Sequence, residues 1–174
     1  MGVFRYLRLM RFPLVLTAVA DSLAGYLVAL GGDGSVDFRV AGLLALVSGA
    51  LYCFGMACND IADHERDKLL HPDRVLPSGA ILPRNAHVCA FLLVLLSGAA
   101  ISGLTLLVDS YLPPVIWIAI VLLIVLYNFG GKKFSVGGPV LMGLVRACNF
   151  LLGMAHVGID PGPGLFPVVI LVYV

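Results

Sequence analysis

The chain has 174 residues, 60% of them hydrophobic and only 12% charged, with a mean hydropathy of +1.03. No soluble domain of this size needs so much apolar sequence, so the composition specifies a polytopic membrane protein. The formal net charge is +1, and with no Lys/Arg-rich tract and no nucleic-acid module a nucleic-acid partner is set aside.

The N-terminus places Arg5, Arg8 and Arg11 before an apolar run, which superficially resembles a signal peptide. The run is too long for that, holds Asp21 and lacks a clean cleavage site, so it reads as a retained first span. Apolar runs cover residues 12–30, 40–58, 86–108, 112–129 and 140–157. Each is near the ~20 residues that a ~30 Å hydrocarbon core requires. All read as helices, because backbone groups in lipid must be satisfied within the segment. A sixth run starts at Leu165 and is still apolar at Val174. The expected fold is therefore all-α: a polytopic membrane helix bundle of five complete transmembrane helices plus part of a sixth. Residues 1–174 read as a single membrane domain, incomplete at its C-terminus and cut within helix six.

If the spans alternate, nine of the 11 basic residues fall on one side: Arg5, Arg8, Arg11, Arg66, Lys68, Arg74, Arg84, Lys132 and Lys133. Arg39 falls on the other side, and Arg146 lies inside a span. The positive-inside rule then puts the N-terminus in the cytoplasm. The opposite turns, residues 31–34 and 160–164, are short and rich in Gly and Pro. Cys53, Cys58, Cys89 and Cys148 lie in or at the ends of apolar runs without a CxxC, which indicates neither a disulfide framework nor a zinc site.

Asn59-Asp60-Ile61-Ala62-Asp63-His64-Glu65-Arg66-Asp67 follows the second run directly. If the helix continues, Asn59, Asp63 and Asp67 share a face, as do Asp60, Asp63 and Asp67. Carboxylates stacked in this way repel each other unless a cation sits among them. Mg²⁺ suits such a site, since it prefers hard oxygen ligands and takes only a couple of carboxylates, leaving room for phosphate and water. The plainer alternative is a solvated, charged loop. His64 and His71, without HExxH or Cys partners, make a weak case for a transition metal.

Pro72 and Pro77 should end the helix and fold the connection back toward the membrane surface. Lys68 and Arg74 would then lie near the acids, either as their salt-bridge partners or as ligands for a metal-bound diphosphate. A second polar cluster, Tyr127 to Ser135 with Lys132 and Lys133, lies on the same side. It reads as ordinary membrane anchors or as further phosphate contacts. Inside the spans, Asp21 and Arg146 need partners, and Asn149, Gly153 and His156 follow Arg146 on one face. Arg146 either pairs with Asp21 or points at a substrate anion, and His156 reads as an interface residue.

These residues carry a resemblance. Asn59-Asp60-x-x-Asp63-x-x-x-Asp67, followed by Pro72-Asp73-Arg74-Val75-Leu76-Pro77-Ser78-Gly79, resembles the first aspartate-rich motif of the UbiA-type intramembrane prenyltransferases. Tyr127 with Lys132-Lys133 resembles the tyrosine–lysine signature that follows their fourth helix, and Arg11 resembles the arginine opening their first. Val75 stands where the family often has Pro. The resemblance implies a nine-helix bundle with a central cavity opening to lipid. Two aspartate-rich motifs there hold Mg²⁺ and the diphosphate of an isoprenyl donor. It implies Asn59, Asp60, Asp63 and Asp67 as metal ligands or their support, and Arg11, Arg74, Tyr127 and Lys132 as diphosphate contacts. No catalytic residue is assigned by it, and Asp21, Arg146 and Asn149 are left as polar groups of the cavity.

The implied activity is transfer of an isoprenyl group from a prenyl diphosphate, through an allylic carbocation, to an unidentified acceptor. The second motif would lie beyond Val174, so these residues alone are expected to be inactive. The alternative is a non-catalytic isoprenoid-binding membrane protein. A divalent-cation transporter predicts mid-membrane acids on several helices, whereas only Asp21 is there. A CDP-alcohol phosphotransferase would need an Asp-Gly…Ala-Arg run that the chain lacks.

Overall fold

The computed structural model describes residues 2–31, 34–155 and 173. Among these all regular structure is helical, and no strand forms. Five segments are long and apolar enough to cross a bilayer: Phe12–Leu30, Phe38–Leu70, Pro83–Val108, Leu112–Phe129 and Gly137–Met154. The chain is thus a multi-pass membrane helix bundle, as its composition requires. The expected sixth span apart from Tyr173, the turn at 160–164 and His156 lie outside the described residues.

The first helix, α1 (Gly2–Leu9), was not expected. It buries Leu9 completely and leaves Val3 and Phe4 exposed. Arg5 Nη1 donates to the Ala80 carbonyl at 3.0 Å and ties α1 to a distant loop. The chain then turns at Arg11, whose φ of 47° lies in the left-handed region. A 3-10 turn at Phe12–Leu14 leads into α2 (Val15–Leu30), which ends at Gly31 with φ 65°.

Helix α3 (Phe38–Leu70) has 33 residues and starts at Asp37, whose side chain accepts from the Arg39 N–H. At 1.5 Å per residue it is roughly 50 Å long, so it projects beyond a ~30 Å hydrocarbon core. Helix α4 (Pro83–Val108) begins with proline at its first position, where a missing N–H costs nothing. Helix α5 (Leu112–Phe129), a 3-10 turn at Gly131–Lys133 and α6 (Gly137–Met154) complete the described bundle.

Helix α3 is central, packing on α2, α4 and α5, while α6 packs on α2 and α5. Leu44, Val47 and Leu51 of α3 meet Leu104, Ile120 and Leu152 from three other helices in one buried cluster. Where α2 crosses α6, glycine is required on both sides. A Cβ on Gly25 would lie 2.0 Å from the Phe150 carbonyl oxygen, and one on Gly153 would lie 1.9 Å from that of Ser22. Such close approach of backbones is how membrane helices gain contact without a hydrophobic drive between them. Polar ties add to it: Ser48 Oγ donates to Asn149 Oδ1 and Asn149 Nδ2 to the Ala18 carbonyl, both at 2.7 Å. Leu92, Leu95, Leu106, Leu122 and Leu126 point outward. An apolar surface of that kind suits lipid rather than water.

Candidate metal and diphosphate site above an intramembrane cavity

Because α3 runs unbroken to Leu70, the spacing of its acids becomes geometry. Asp60, Asp63 and Asp67 are all buried on one side of the helix, with Asn59 half-buried beside them. The helix stops where Pro72 disfavours helical backbone in His71. The loop then folds back, burying Val75, Leu76 and Ile81. This return path carries Arg74 to Asp67.

Each buried acid faces one cation, and each cation comes from a different element. Arg74 Nη1 lies 2.5 Å from Asp67 Oδ2, Lys132 Nζ lies 2.8 Å from Asp63 Oδ2, and Arg11 Nη2 lies 3.6 Å from Asp60 Oδ1. Lys132 Nζ also donates to Asn59 Oδ1 at 3.3 Å. The hydrogen bond from Arg74 to Asp67 holds the guanidinium above its already high range. Lys68 does not join the cluster and instead pairs with exposed Glu65 at 2.6 Å. The left-handed backbone at Arg11 costs roughly 1 kcal/mol. It turns the chain from α1 into α2 at the point where the guanidinium meets Asp60.

The pairing leaves oxygens over. Among the described residues Asp60 Oδ1 and Asp67 Oδ1 are buried without a hydrogen-bond partner; for Asp60, 3.6 Å from Arg11 is too long for one. Buried acceptors without partners are costly and point to a ligand, water or ion. Among the described residues no group of three or more His, Cys, Asp or Glu converges to hold a metal unaided. Mg²⁺ does not need one, because it is commonly held by one or two carboxylates together with substrate phosphates. The donor set of Asp60, Asp67, Asp63 and Asn59 therefore fits Mg²⁺ in kind, with the phosphate supplying the remaining oxygens.

Beneath the acids a cavity of about 170 Å³ opens between α2, α3, α5 and α6. Its walls are chiefly apolar, with Leu51, Met56, Ile120, Ile124, Met142 and Val145. Tyr127 lines this cavity, whereas Lys132 reaches the acids. Asp21 and Arg146 also face it, and the structure pairs them. Arg146 Nε and Nη2 donate to the two Asp21 oxygens, each at 3.0 Å. Tyr173 Oη donates to Asp21 Oδ1 at 3.1 Å, and its ring lies 5.2 Å from the Arg146 guanidinium carbon. The charge of Arg146 is thus matched by Asp21. Asn149 is engaged by Ser48 and Ala18. The four cysteines are free thiols, with Cys53 and Cys58 buried.

Sequence reasoning missed Ser48 and Tyr173, and took Asn128 only as part of the polar cluster from Tyr127 to Ser135. Ser48 and Asn128 each interrupt an apolar run, a signal that could have marked them. Nothing in the spacing of Tyr173 from Asp21 announces their contact.

Comparison with known proteins agrees with this fold. The digeranylgeranylglyceryl phosphate synthase of Methanococcus aeolicus is 32% identical over 158 residues, covering 88% of this chain and 52% of that protein. The enzyme of the same name from Methanocaldococcus jannaschii is 31% identical, covering 98% and 58%. The chain thus spans little more than half the length of these relatives. A solved structure of a digeranylgeranylglyceryl phosphate synthase superposes with a TM-score of 0.76 at 28% identity, covering 87% of this chain and 52% of that one. A UbiA homolog from Archaeoglobus fulgidus, solved with GPP and Mg²⁺, shares the fold with a TM-score of 0.80 at 18% identity, covering 97% and 59%. Residues 18–174 match the UbiA prenyltransferase family model, and the chain belongs to that family.

Proposed function

We propose that the full-length protein transfers an isoprenyl group from a prenyl diphosphate to an acceptor within the membrane, with Mg²⁺ as cofactor. One observation carries this reading. Three buried acids on α3, one to three turns past the cavity-lining Met56, each face a cation from another element, and two of their oxygens remain unpartnered among the described residues. Acids and cations interleaved in this way suit a ligand that is itself a metal cation plus a polyanion. The relatives named as digeranylgeranylglyceryl phosphate synthases, and the homolog solved with GPP and Mg²⁺, support it.

Asn59, Asp60, Asp63 and Asp67 would hold the metal, which when bound neutralises the diphosphate as a leaving group. Arg11, Arg74 and Lys132 would turn from the acids to phosphate oxygens, and Tyr127 would line the passage from phosphate to cavity. The apolar walls around Ile120, Ile124 and Met142 would shelter the prenyl chain and exclude water from the reactive carbon. By the excess of basic residues on this side, the N-terminus and the acids would face the cytoplasm.

The test is Mg²⁺-dependent diphosphate release from a prenyl diphosphate by membranes carrying the full-length protein. Asp63→Ala should reduce release by about 100-fold or more, the scale seen when charge stabilisation at a leaving group is removed. Binding of prenyl diphosphate without turnover would instead support the non-catalytic isoprenoid-binding reading.

A further inference from the structure

A groove of about 580 Å³ lies between α1 and α4 and shares no lining residue with the cavity between α2, α3, α5 and α6. Tyr6 and Met10 form one wall, and α4 forms the other from Asn85 to Leu96. That stretch of α4 rises roughly 17 Å, close to half of a ~30 Å hydrocarbon core. The groove therefore runs from the start of the span to about the middle of the bilayer, one leaflet deep. Leu92 and Leu96 on its wall are 57% and 45% exposed, so it opens sideways toward lipid. Its polar end carries cations that no acid matches. Arg5 Nη1 donates to the Ala80 carbonyl at 3.0 Å, which holds the guanidinium at the loop entering α4. Arg84 is the exposed second residue of α4, beside the groove-lining Asn85. Among the described residues neither forms an ion pair, whereas Arg11, Lys132 and Arg74 each face an acid.

We propose that this groove holds one chain of an anionic membrane phospholipid, with its phosphate taken by Arg5 and Arg84. Depth decides against a partner helix, which would need a packing seam along the whole span, whereas the groove ends at Leu96. Charge decides against a neutral lipid. Guanidinium groups suit phosphate oxygens, and basic residues at a membrane boundary attract anionic headgroups. The site stands apart from the acids of α3 and from the cavity, so prenyl transfer enters neither the proposal nor its test.

Dioctanoylphosphatidylglycerol and dioctanoylphosphatidylcholine are suitable probes, because they share their chains and differ in net charge. Their dissociation constants would be measured by calorimetry on the purified full-length protein in detergent. Wild type should bind phosphatidylglycerol about tenfold more tightly, the scale of one or two basic residues acting on an anionic headgroup. Arg84→Gln, at an exposed side chain with no ion pair to lose, should remove most of that preference. Arg8→Gln should keep it, since Arg8 lies about 200° around α1 from the groove-lining Tyr6. Leu92→Trp, which fills the groove from its half-exposed wall, should weaken binding of both lipids. Equal affinities in wild type would overturn the proposal. Equal losses from Arg8→Gln and Arg84→Gln would also overturn it, by reducing the effect to general attraction between a basic surface and an anionic lipid. Binding that Leu92→Trp leaves unchanged would place the lipid elsewhere and refute the groove as its seat. If Leu92→Trp does not fold, the wild-type comparison and the two arginine variants decide.

Discussion

Gly25→Ala is the sharpest test of how α2 and α6 are held together. The added methyl would lie 2.0 Å from the Phe150 carbonyl oxygen, whereas a carbon–oxygen contact needs about 3.3 Å. The obstacle is backbone, so no side chain can swing aside, and the helices must separate by roughly 1.3 Å. The 2.7 Å bond from Asn149 to the Ala18 carbonyl crosses the same seam, and that separation would stretch it to about 4 Å, beyond hydrogen-bonding range. Overpacking costs about 1–3 kcal/mol, and a lost buried hydrogen bond adds about 1 kcal/mol. A total near 3 kcal/mol corresponds to a fall in Tm of roughly 6–12 °C for a domain of this size. The measurement is thermal unfolding of the detergent-solubilised protein, with Gly42→Ala as control. Gly42 lies within α3, and a Cβ there meets nothing within 4 Å. That change should be neutral or stabilising by up to about 1 kcal/mol through helix propensity. A Gly25→Ala protein as stable as the control would refute the close crossing of α2 and α6.

Alanine at Asp21 or Arg146 should each lower Tm, and exchanging the two charges should restore most of the loss; an exchange no better than the single changes would mean the pair contributes nothing. Asp37 gives a pH signature. Its carboxyl is held down to about 2, below the ordinary 3.8, chiefly by the hydrogen bond from the Arg39 side chain. Its contribution to the start of α3 is therefore complete above pH 3.8 and is lost as pH falls toward 2. The Tm difference between wild type and Asp37→Asn should hold constant down to about pH 4 and then close. A difference that closes already between pH 6 and 5 would contradict this assignment. Prenyl diphosphate and Mg²⁺ should bind with positive coupling, each tightening the other at least tenfold in titrations of the full-length protein; independent binding would argue against the interleaved site.

What was legible in the sequence was whatever depends on local pattern. Residues 112–129 read as one span and form one helix, because a run of that length has no other way to satisfy its backbone in lipid. The shared face of Asp60, Asp63 and Asp67 follows from the helical repeat once α3 continues past the membrane. What was not legible depends on the path of the chain between elements. Helix α1 has eight residues, too few to announce itself, and is held by the burial of Leu9 and the reach of Arg5 to Ala80. The division between Lys68 and Arg74 also escaped. Lys68 follows Asp67 by one residue and so projects about 100° around the helix from it. It finds Glu65 three residues earlier instead. Arg74 reaches Asp67 only because the chain breaks at Pro72 and returns.

The one-to-one matching of Arg11, Lys132 and Arg74 with Asp60, Asp63 and Asp67 bears on how the site fills. Three buried carboxylates without counterions could not persist in a largely dehydrated position, so the cations let α3 keep its acidic face folded in the absence of metal. The same matching makes either ligand alone a poor one. A diphosphate arriving by itself would draw the cations off and strand the acids, and a metal by itself would leave Arg11, Lys132 and Arg74 without their acids. If both arrived together, the metal could take the acids while the phosphates took Arg11, Lys132 and Arg74, so that each half of the pairing would gain a partner of opposite charge. A face of acids spaced along one helix would then be half of an exchange whose other half is three basic residues brought in by the turn at Arg11, the return loop at Arg74 and the turn after α5.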